Sequence, residues 1–132
     1  MALKITLKPH EKMIIGGAVV TNGNYKCDLV IENKVPILRQ KDIMTEKEAN
    51  SPTRRIYLAI QLMYIDEQNL AQHHKTYWKL VQDFILAAPT VLPVVDQISN
   101  KILGGQYYQA LKLVRNLIDY EKEVITLVQK CA

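Results

Sequence analysis

Two spacings of apolar residues divide this chain. Over residues 3–8 the order Leu-Lys-Ile-Thr-Leu-Lys alternates apolar and polar side chains, which is the two-residue period of a half-buried strand. From about residue 51 onward, apolar residues recur every three to four positions, which is the period of an amphipathic helix. The pattern predicts an α+β protein with a small N-terminal antiparallel β-sheet over residues 1–44 and a C-terminal helical bundle over residues 45–132.

Turn residues divide the first 44 residues into further strands. A second strand is predicted over Met13–Val20. Its Gly16-Gly17 pair allows a bulge or bend that residues with larger side chains would disfavour. The Asn22-Gly23 pair favours a tight hairpin turn, which makes Cys27–Ile31 the return strand. Val35–Arg39 is predicted as a last, short strand, and its proline, which lacks a backbone donor, points to an edge position or a strand end.

From residue 45 onward, the sequence contains residues that favour the start of helices. Thr45 and Glu48 have the spacing of a capping box and predict a short first helix. Ser51 before Pro52 predicts a second helix, which runs to about Ile65. Three further helices are predicted over residues 69–87, 94–103 and 106–129, and the fourth of the five is ended by the glycine pair that follows it.

The excess positive charge lies in the first third of the chain. The whole chain has 17 Lys and Arg against 13 Asp and Glu, a net charge of +4. Residues 1–41 hold seven of those cations and three of the anions, whereas the remainder holds ten of each. This asymmetry favours an anionic partner for the N-terminal part, and a merely solvated basic surface is the alternative.

The sequence contains no recognisable catalytic or metal-binding motif. Cys27 and Cys131 have no metal-ligand spacing and are interpreted as reduced thiols. His73 and His74 are adjacent, so on a helix they diverge by about 100° and cannot chelate one ion as an i, i+4 pair can. Together with the absence of a phosphate-binding loop, these patterns predict a non-enzymatic protein without cofactor or metal.

The termini and the hydropathy predict a cytoplasmic protein without membrane insertion. The N-terminal Met-Ala-Leu-Lys lacks the order of a signal peptide, and no run approaches the roughly 18 apolar residues of a membrane helix.

The candidate binding residues are polar and basic side chains of the first and last predicted strands. If these strands are neighbours, their side chains form one surface on which cations meet phosphates and Gln or Thr hydrogen-bond unstacked bases. The predicted RNA-binding residues are Lys4, Thr6, Lys8, Arg39, Gln40 and Lys41.

Aromatic residues are the second feature of interest, this time in the helical part. Most of them are predicted to lie in the core by their spacing, and a few to form a groove for a partner helix. The set comprises Tyr57, Tyr64, Tyr77, Trp78, Tyr107, Tyr108 and Tyr120.

The sequence strongly resembles the FlbT family, post-transcriptional repressors of flagellin in bacteria. The resemblance is carried by Leu7–Gly23, by Leu29–Glu46, by Arg55–Tyr57 with Gln61–Tyr64, and by Gly105–Lys112. It implies a regulator that associates with the 5′ untranslated leader of flagellin mRNA and promotes the degradation of that mRNA. It also implies that a second small flagellar factor, FlaF, has the opposing effect. Candidate partners are therefore flagellin mRNA, a FlaF-like flagellar factor and flagellin.

Within the N-terminal part, Glu11–Gly16, the hairpin predicted after it and Val35–Ile43 are weakly similar to the CsrA family of small mRNA-leader binders. In that family, polar residues of the first and last strands form the RNA surface, and two chains intertwine into a dimer. The likeness therefore implies that the six residues named above bind RNA and that a homodimer is an alternative to a monomer. Leu7 departs from the pattern, because that family has a basic residue there.

A protein-interaction role is the alternative function. The helical part is near-neutral and is expected to expose Tyr and Met side chains, which suits the docking of an amphipathic helix. On this interpretation the protein is a flagellin-binding chaperone or adaptor, and its effect on the mRNA is indirect.

Overall fold

The computed structural model describes the backbone of residues 2–131 and the side chains of residues 2–123. It has the predicted α+β fold, and the chain divides into two compact units, Met1–Ile43 and Met44–Ala132, called here the N-terminal and C-terminal units. The elements in chain order are β1 (Leu3–Leu7), β2 (Lys12–Ile15), β3 (Ala18–Thr21), β4 (Cys27–Ile31), β5 (Ile37–Arg39), α1 (Pro52–Ile65), α2 (Leu70–Ala87), α3 (Leu92–Leu103) and α4 (Tyr107–Cys131).

The N-terminal unit contains two small antiparallel sheets. One pairs β1 with β4, and the other has the strand order β3-β2-β5. The alternation predicted for β1 is present, because Ile5 and Leu7 are buried while Lys4 is exposed. Ile5, Leu7 and Met13 form one apolar cluster with side chains from both sheets, so the two sheets pack against each other over a shared core.

The turn at Gly16-Gly17 corrects the predicted strand pattern. The expected strand over Met13–Val20 is in fact a hairpin, in which β2 and β3 pair and Ile15 lies opposite Ala18. Gly16 and Gly17 are the two loop residues and have φ values of 56° and 93°, which a two-residue hairpin turn requires and glycine adopts without strain.

Asn22-Gly23 does not make the predicted hairpin. The strand after it, β4, pairs with β1 in the register Leu7 opposite Cys27 and Leu3 opposite Ile31, and so belongs to the other sheet. The side chain of Asn22 instead holds the loop, with its amide nitrogen 2.9 Å from the carbonyl oxygen of Lys8.

The short helix predicted at Thr45 is also absent. Residues 45–48 form hydrogen-bonded turns, although the capping-box contacts exist: Glu48 N donates to Thr45 Oγ1 at 3.3 Å, and Thr45 N donates to Glu48 Oε1 at 3.2 Å. Without an apolar periodic segment after it, the box closes only a turn. The helix predicted after Ser51 is confirmed, with Ser51 Oγ accepting from Arg54 N and Pro52 as the first helical residue.

The C-terminal unit packs α1 against α2 and α4, and α3 against α4. Its aromatic residues depart from the prediction that most are core. Tyr57 and Tyr77 are buried, whereas Trp78, Tyr108 and Tyr120 are 41%, 40% and 58% exposed. The side chain of Tyr77, rather than that of Trp78, is fully enclosed, and its hydroxyl lies 2.9 Å from Ser99 Oγ on α3.

Candidate nucleic-acid interface

The strands that carry the predicted RNA-binding residues are not neighbours in one sheet. β1 pairs with β4, and β5 pairs with β2, so the expected single surface along β1 and β5 does not form. One contact nevertheless joins them, because Arg39 at the end of β5 donates from Nη2 to the carbonyl oxygen of Thr6 at 3.0 Å.

The strand registers instead gather cations at one end of the N-terminal unit. β1 ends at Leu7 opposite Cys27, where β4 begins, and β5 ends at Arg39 opposite Met13, near the start of β2. The cations that flank these strand ends in the sequence therefore lie at the same end of the N-terminal unit. We call this set the basic end, and it comprises five of the seven cations of residues 1–41: Lys8, Lys12, Lys26, Arg39 and Lys41.

Arg39 is fixed within the basic end. Its Nη2 also lies 3.4 Å from Glu11 Oε2, and Glu11 Oε1 accepts from the backbone N–H of Lys8 at 2.9 Å. That backbone hydrogen bond, followed by the Arg39 guanidinium, outweighs desolvation and holds the pKa of Glu11 below its ordinary value. One carboxylate thus ties the end of β5 to the turn between β1 and β2.

Gln40 also takes part in the local structure. Its Oε1 accepts from the backbone N–H of Lys12 at 2.7 Å. Because Met13 is opposite Arg39, Lys12 is opposite Gln40, and the side-chain carbonyl continues the β2–β5 pairing by one position. Lys12 and Lys41, which follows Gln40 in the chain, both have exposed side chains.

The side chains of Lys4 and Thr6 lie on the outer face of β1, with a carboxylate between them. Thr6 Oγ1 donates to Asp28 Oδ1 at 2.7 Å, and Lys4 Nζ lies 3.6 Å from Asp28 Oδ2. The hydrogen bond from Thr6, followed by the charge of Lys4, lowers the pKa of Asp28, so this carboxylate is ionised at neutral pH. The cation on this face is therefore matched by an anion.

Sequence reasoning missed Lys12 and Lys26 as members of this end. Lys12 stands at the first residue of β2, and Lys26 immediately precedes β4. A signal for Lys12 was present, because it follows the turn Pro9–Glu11 that returns the chain from Lys8. Lys26 could not be assigned, because its place depends on the pairing of β4 with β1, which the Asn-Gly signal concealed.

Among the described residues, no group of three or more His, Cys, Asp or Glu side chains could hold a metal ion. His73 and His74 have different partners, Asp66 Oδ2 at 3.0 Å and Tyr107 Oη at 3.3 Å. Cys27 is a free, half-buried thiol, and the side chain of Cys131 lies outside the described residues.

None of the helices, over the described residues, combines the length and the apolar character needed to cross a bilayer.

The fold and the site define a class: an α+β protein in which a small two-sheet unit with a basic end precedes a bundle of helices. The model of one family, flagellar protein FlbT, matches residues 3–125. The chain belongs to the FlbT family.

Relatives agree with this assignment over most of their length. The chain is 47% identical to the probable flagellum biosynthesis repressor protein FlbT 1 of Bradyrhizobium diazoefficiens, covering 94% of this chain and 85% of that one. It is 39% identical to the flagellum biosynthesis repressor protein FlbT of Caulobacter vibrioides, covering 93% and 89%. With the probable repressor FlbT of Rhodopseudomonas palustris the identity is 37%, covering 96% and 99%. No solved structure matches the chain significantly.

Proposed function

We propose that this protein represses flagellum biosynthesis by binding the 5′ untranslated leader of flagellin mRNA at the basic end. The names of its relatives support repression of flagellum biosynthesis. The observation that carries the RNA-binding step is the gathering of five cations at one end of the N-terminal unit, while residues 42–132 have no net charge.

The chemistry of that end suits a single-stranded leader. Lys8, Lys12 and Lys41 have exposed side chains, and they can meet successive phosphates, which supplies most of the affinity for a polyanion. Arg39 ties the end of β5 to β1, and Gln40 ties it to the start of β2, so these two side chains position those lysines. Lys4 and Thr6 then contribute less, because Asp28 neutralises their face.

The mechanism in this proposal is binding and not catalysis. A leader held at the basic end is occupied or restructured, and ribosome entry is hindered. A message without ribosomes is open to cellular nucleases, so repression of translation and degradation of the mRNA follow from the same contact.

The test is a fluorescence-anisotropy titration of the full chain with a labelled flagellin leader RNA and a scrambled RNA of the same length. Lys8→Glu is compared with Lys34→Glu, a matched control in the same unit. Lys34 is an exposed residue after Ile31, which pairs with Leu3 at the opposite end of β1 from Lys8.

The expected result is a preference for the leader that Lys8→Glu weakens about tenfold and Lys34→Glu changes by less than twofold. Equal binding of both RNAs would refute leader recognition. Equal effects of the two variants would refute the basic end as the binding surface.

A second candidate function is supported by a groove in the C-terminal unit. The groove lies between α2 and α3 and has a volume of about 860 Å³. Its lining is mainly apolar and includes Trp78, Ile85 and Leu103, while Lys75 and Lys79 border it along α2. This arrangement suits an amphipathic helix with an acidic flank, and on the second candidate function that helix belongs to flagellin.

Trp78 provides the measurement, since it is the single tryptophan of the chain. Flagellin monomers titrated into the protein are expected to shift its emission to shorter wavelength, and Leu103→Glu is expected to abolish that shift. An unchanged spectrum in the presence of excess flagellin would contradict flagellin as the occupant.

A further inference from the structure

One large aromatic side chain of the N-terminal unit is almost completely in solvent. Tyr25 is 84% exposed and lies in the loop between β3 and β4. Two residues later, Cys27 pairs with Leu7, so the loop stands at the basic end. A ring this exposed contributes little to folding, because it leaves most of its apolar area in water.

The backbone that carries the ring is fixed before any ligand arrives. Asn22 Nδ2 lies 2.8 Å from the carbonyl oxygen of Tyr25 and 2.9 Å from that of Lys8. Asn22 Oδ1 accepts from the backbone N–H of Gly23 at 2.8 Å, and His10 N donates to the carbonyl oxygen of Gly23 at 3.0 Å. One amide side chain therefore holds Tyr25 against the end of β1, which lowers the entropy lost when a ligand is bound.

The surroundings of the ring favour one ligand chemistry. Lys26 is the next residue, and the same amide that holds Tyr25 also contacts the backbone of Lys8. An exposed aromatic ring beside backbone-fixed cations is the combination by which proteins hold single strands, since the ring stacks on a base while the cations meet phosphates. Val19 and Val30 are also exposed in this unit, but as aliphatic side chains they offer no ring face.

We propose that Tyr25 is a stacking site for an unpaired base of the RNA bound at the basic end. The inference rests on the proposed function and adds to it a contact with a base, next to the contacts with phosphates. Stacking accepts every base, so this contact selects single-stranded over paired RNA more than it selects sequence. It favours leaders that present an unpaired nucleotide beside the bound phosphates.

The test compares Tyr25→Leu with Tyr25→Phe in the full chain. Leucine keeps apolar volume but removes the ring, whereas phenylalanine keeps the ring and removes the hydroxyl. We expect Tyr25→Leu to weaken binding to the leader RNA about 5- to 150-fold, the range that one base–aromatic stack contributes. Tyr25→Phe is expected to bind within about twofold of the wild type, and the salt dependence of both variants to match the wild type because no charge is changed.

Tyr120→Leu is the matched control, because Tyr120 is a 58% exposed tyrosine of the C-terminal unit. A second readout uses leader RNAs that carry 2-aminopurine at single unpaired positions. Stacking on Tyr25 is expected to change the fluorescence at one of those positions, and Tyr25→Leu to remove that change.

The outcomes separate the two proposals. If the wild type binds the leader and Tyr25→Leu binds equally well, the stacking site is refuted while the proposed function stands. Equal weakening by Tyr25→Leu and Tyr25→Phe would assign the contact to the hydroxyl and also refute stacking. If the wild type binds the leader no better than the scrambled RNA, the proposed function fails and the inference fails with it.

Discussion

Asp28 determines how much of the positive charge on β1 is available to a ligand. It accepts a hydrogen bond from Thr6 and pairs with Lys4, so the charge of Lys4 is locally matched. The predicted surface included Lys4 and Thr6 because alternation places them on one face of β1. The cross-strand partner that neutralises this face is visible only once β4 is paired with β1.

At this site, removal of the charge pair is expected to leave RNA binding nearly unchanged. The double variant Lys4→Met, Asp28→Asn should alter leader affinity by less than about twofold, because it removes one positive and one negative charge from the same face and keeps the net charge. Lys12→Met removes one exposed cation of the basic end and should lower the slope of log affinity against log salt by about 0.7. Anisotropy titrations at four salt concentrations measure both. If the double variant lost as much leader affinity and slope as Lys12→Met, the outer face of β1 would be part of the RNA interface.

Glu11 gives the N-terminal unit a dependence on pH. Its pKa is lowered below the ordinary 4.5 by the Lys8 backbone N–H and by Arg39, so the folded state holds this proton less tightly than the unfolded state. The stabilisation is fully present above about pH 4.5 and is lost as the pH falls through the lowered pKa. We therefore expect the urea midpoint of the wild type to exceed that of Glu11→Gln at pH 7, and the difference between the two midpoints to narrow as the pH falls toward 3.

Asp28, Glu48 and Asp66 also have lowered pKa values, and their contributions cancel in this comparison because both variants contain them. A gap that stays constant from pH 7 to pH 3 would contradict the assignment.

Among the elements, the β2–β3 hairpin depends on Gly16. A Cβ atom at this position would lie 2.8 Å from Cγ2 of Val35, and the φ of 56° is unfavourable for any L side chain. Gly16→Ala is expected to destabilise the fold by about 1–3 kcal/mol, the range for a residue forced into such a conformation. Urea unfolding followed by circular dichroism measures it.

Gly23→Ala is the matched control for that substitution. A Cβ at Gly23 meets nothing within 4 Å, so the change should remain within about 0.5 kcal/mol of the wild type. If both variants lose the same stability, a general cost of replacing loop glycines explains the result, and the hairpin conformation does not.

The same hairpin explains which parts of the fold the sequence could predict. Alternation located β1, because burial of one face imposes a two-residue period, and the turn residues between the strands located β4 and β5. Pairing was predicted wrongly, because two dipeptides with turn propensity, Gly16-Gly17 and Asn22-Gly23, compete for the hairpin. The choice between them depends on the long-range packing of Ile5, Leu7 and Met13. In the helices, a rotation of one residue separates buried Tyr77 from exposed Trp78, and periodicity alone did not resolve it.

For the molecule as a whole, the position of the charge matters more than its total. The chain has a net charge of +4, and all of that excess lies in residues 1–41. A polyanion is attracted by overall charge at long range, but counterions are released only where cations meet phosphates. The proposed function therefore requires that equal changes of net charge in the two units have unequal effects on RNA binding.

Two double variants provide this comparison. Lys8→Glu with Lys12→Glu alters the basic end, and Lys75→Glu with Lys79→Glu alters exposed positions of α2, so each lowers the net charge by four, from +4 to zero. We expect the first pair to reduce leader affinity at least a hundredfold and to flatten the salt dependence by a slope of about 1.4, the value for two single-strand phosphate contacts. The second pair should reduce affinity only a few-fold and leave the slope unchanged, because it removes attraction at a distance without removing a contact. If both variants lost affinity and slope equally, the RNA would be responding to net charge alone, and the basic end would have no special part in repression.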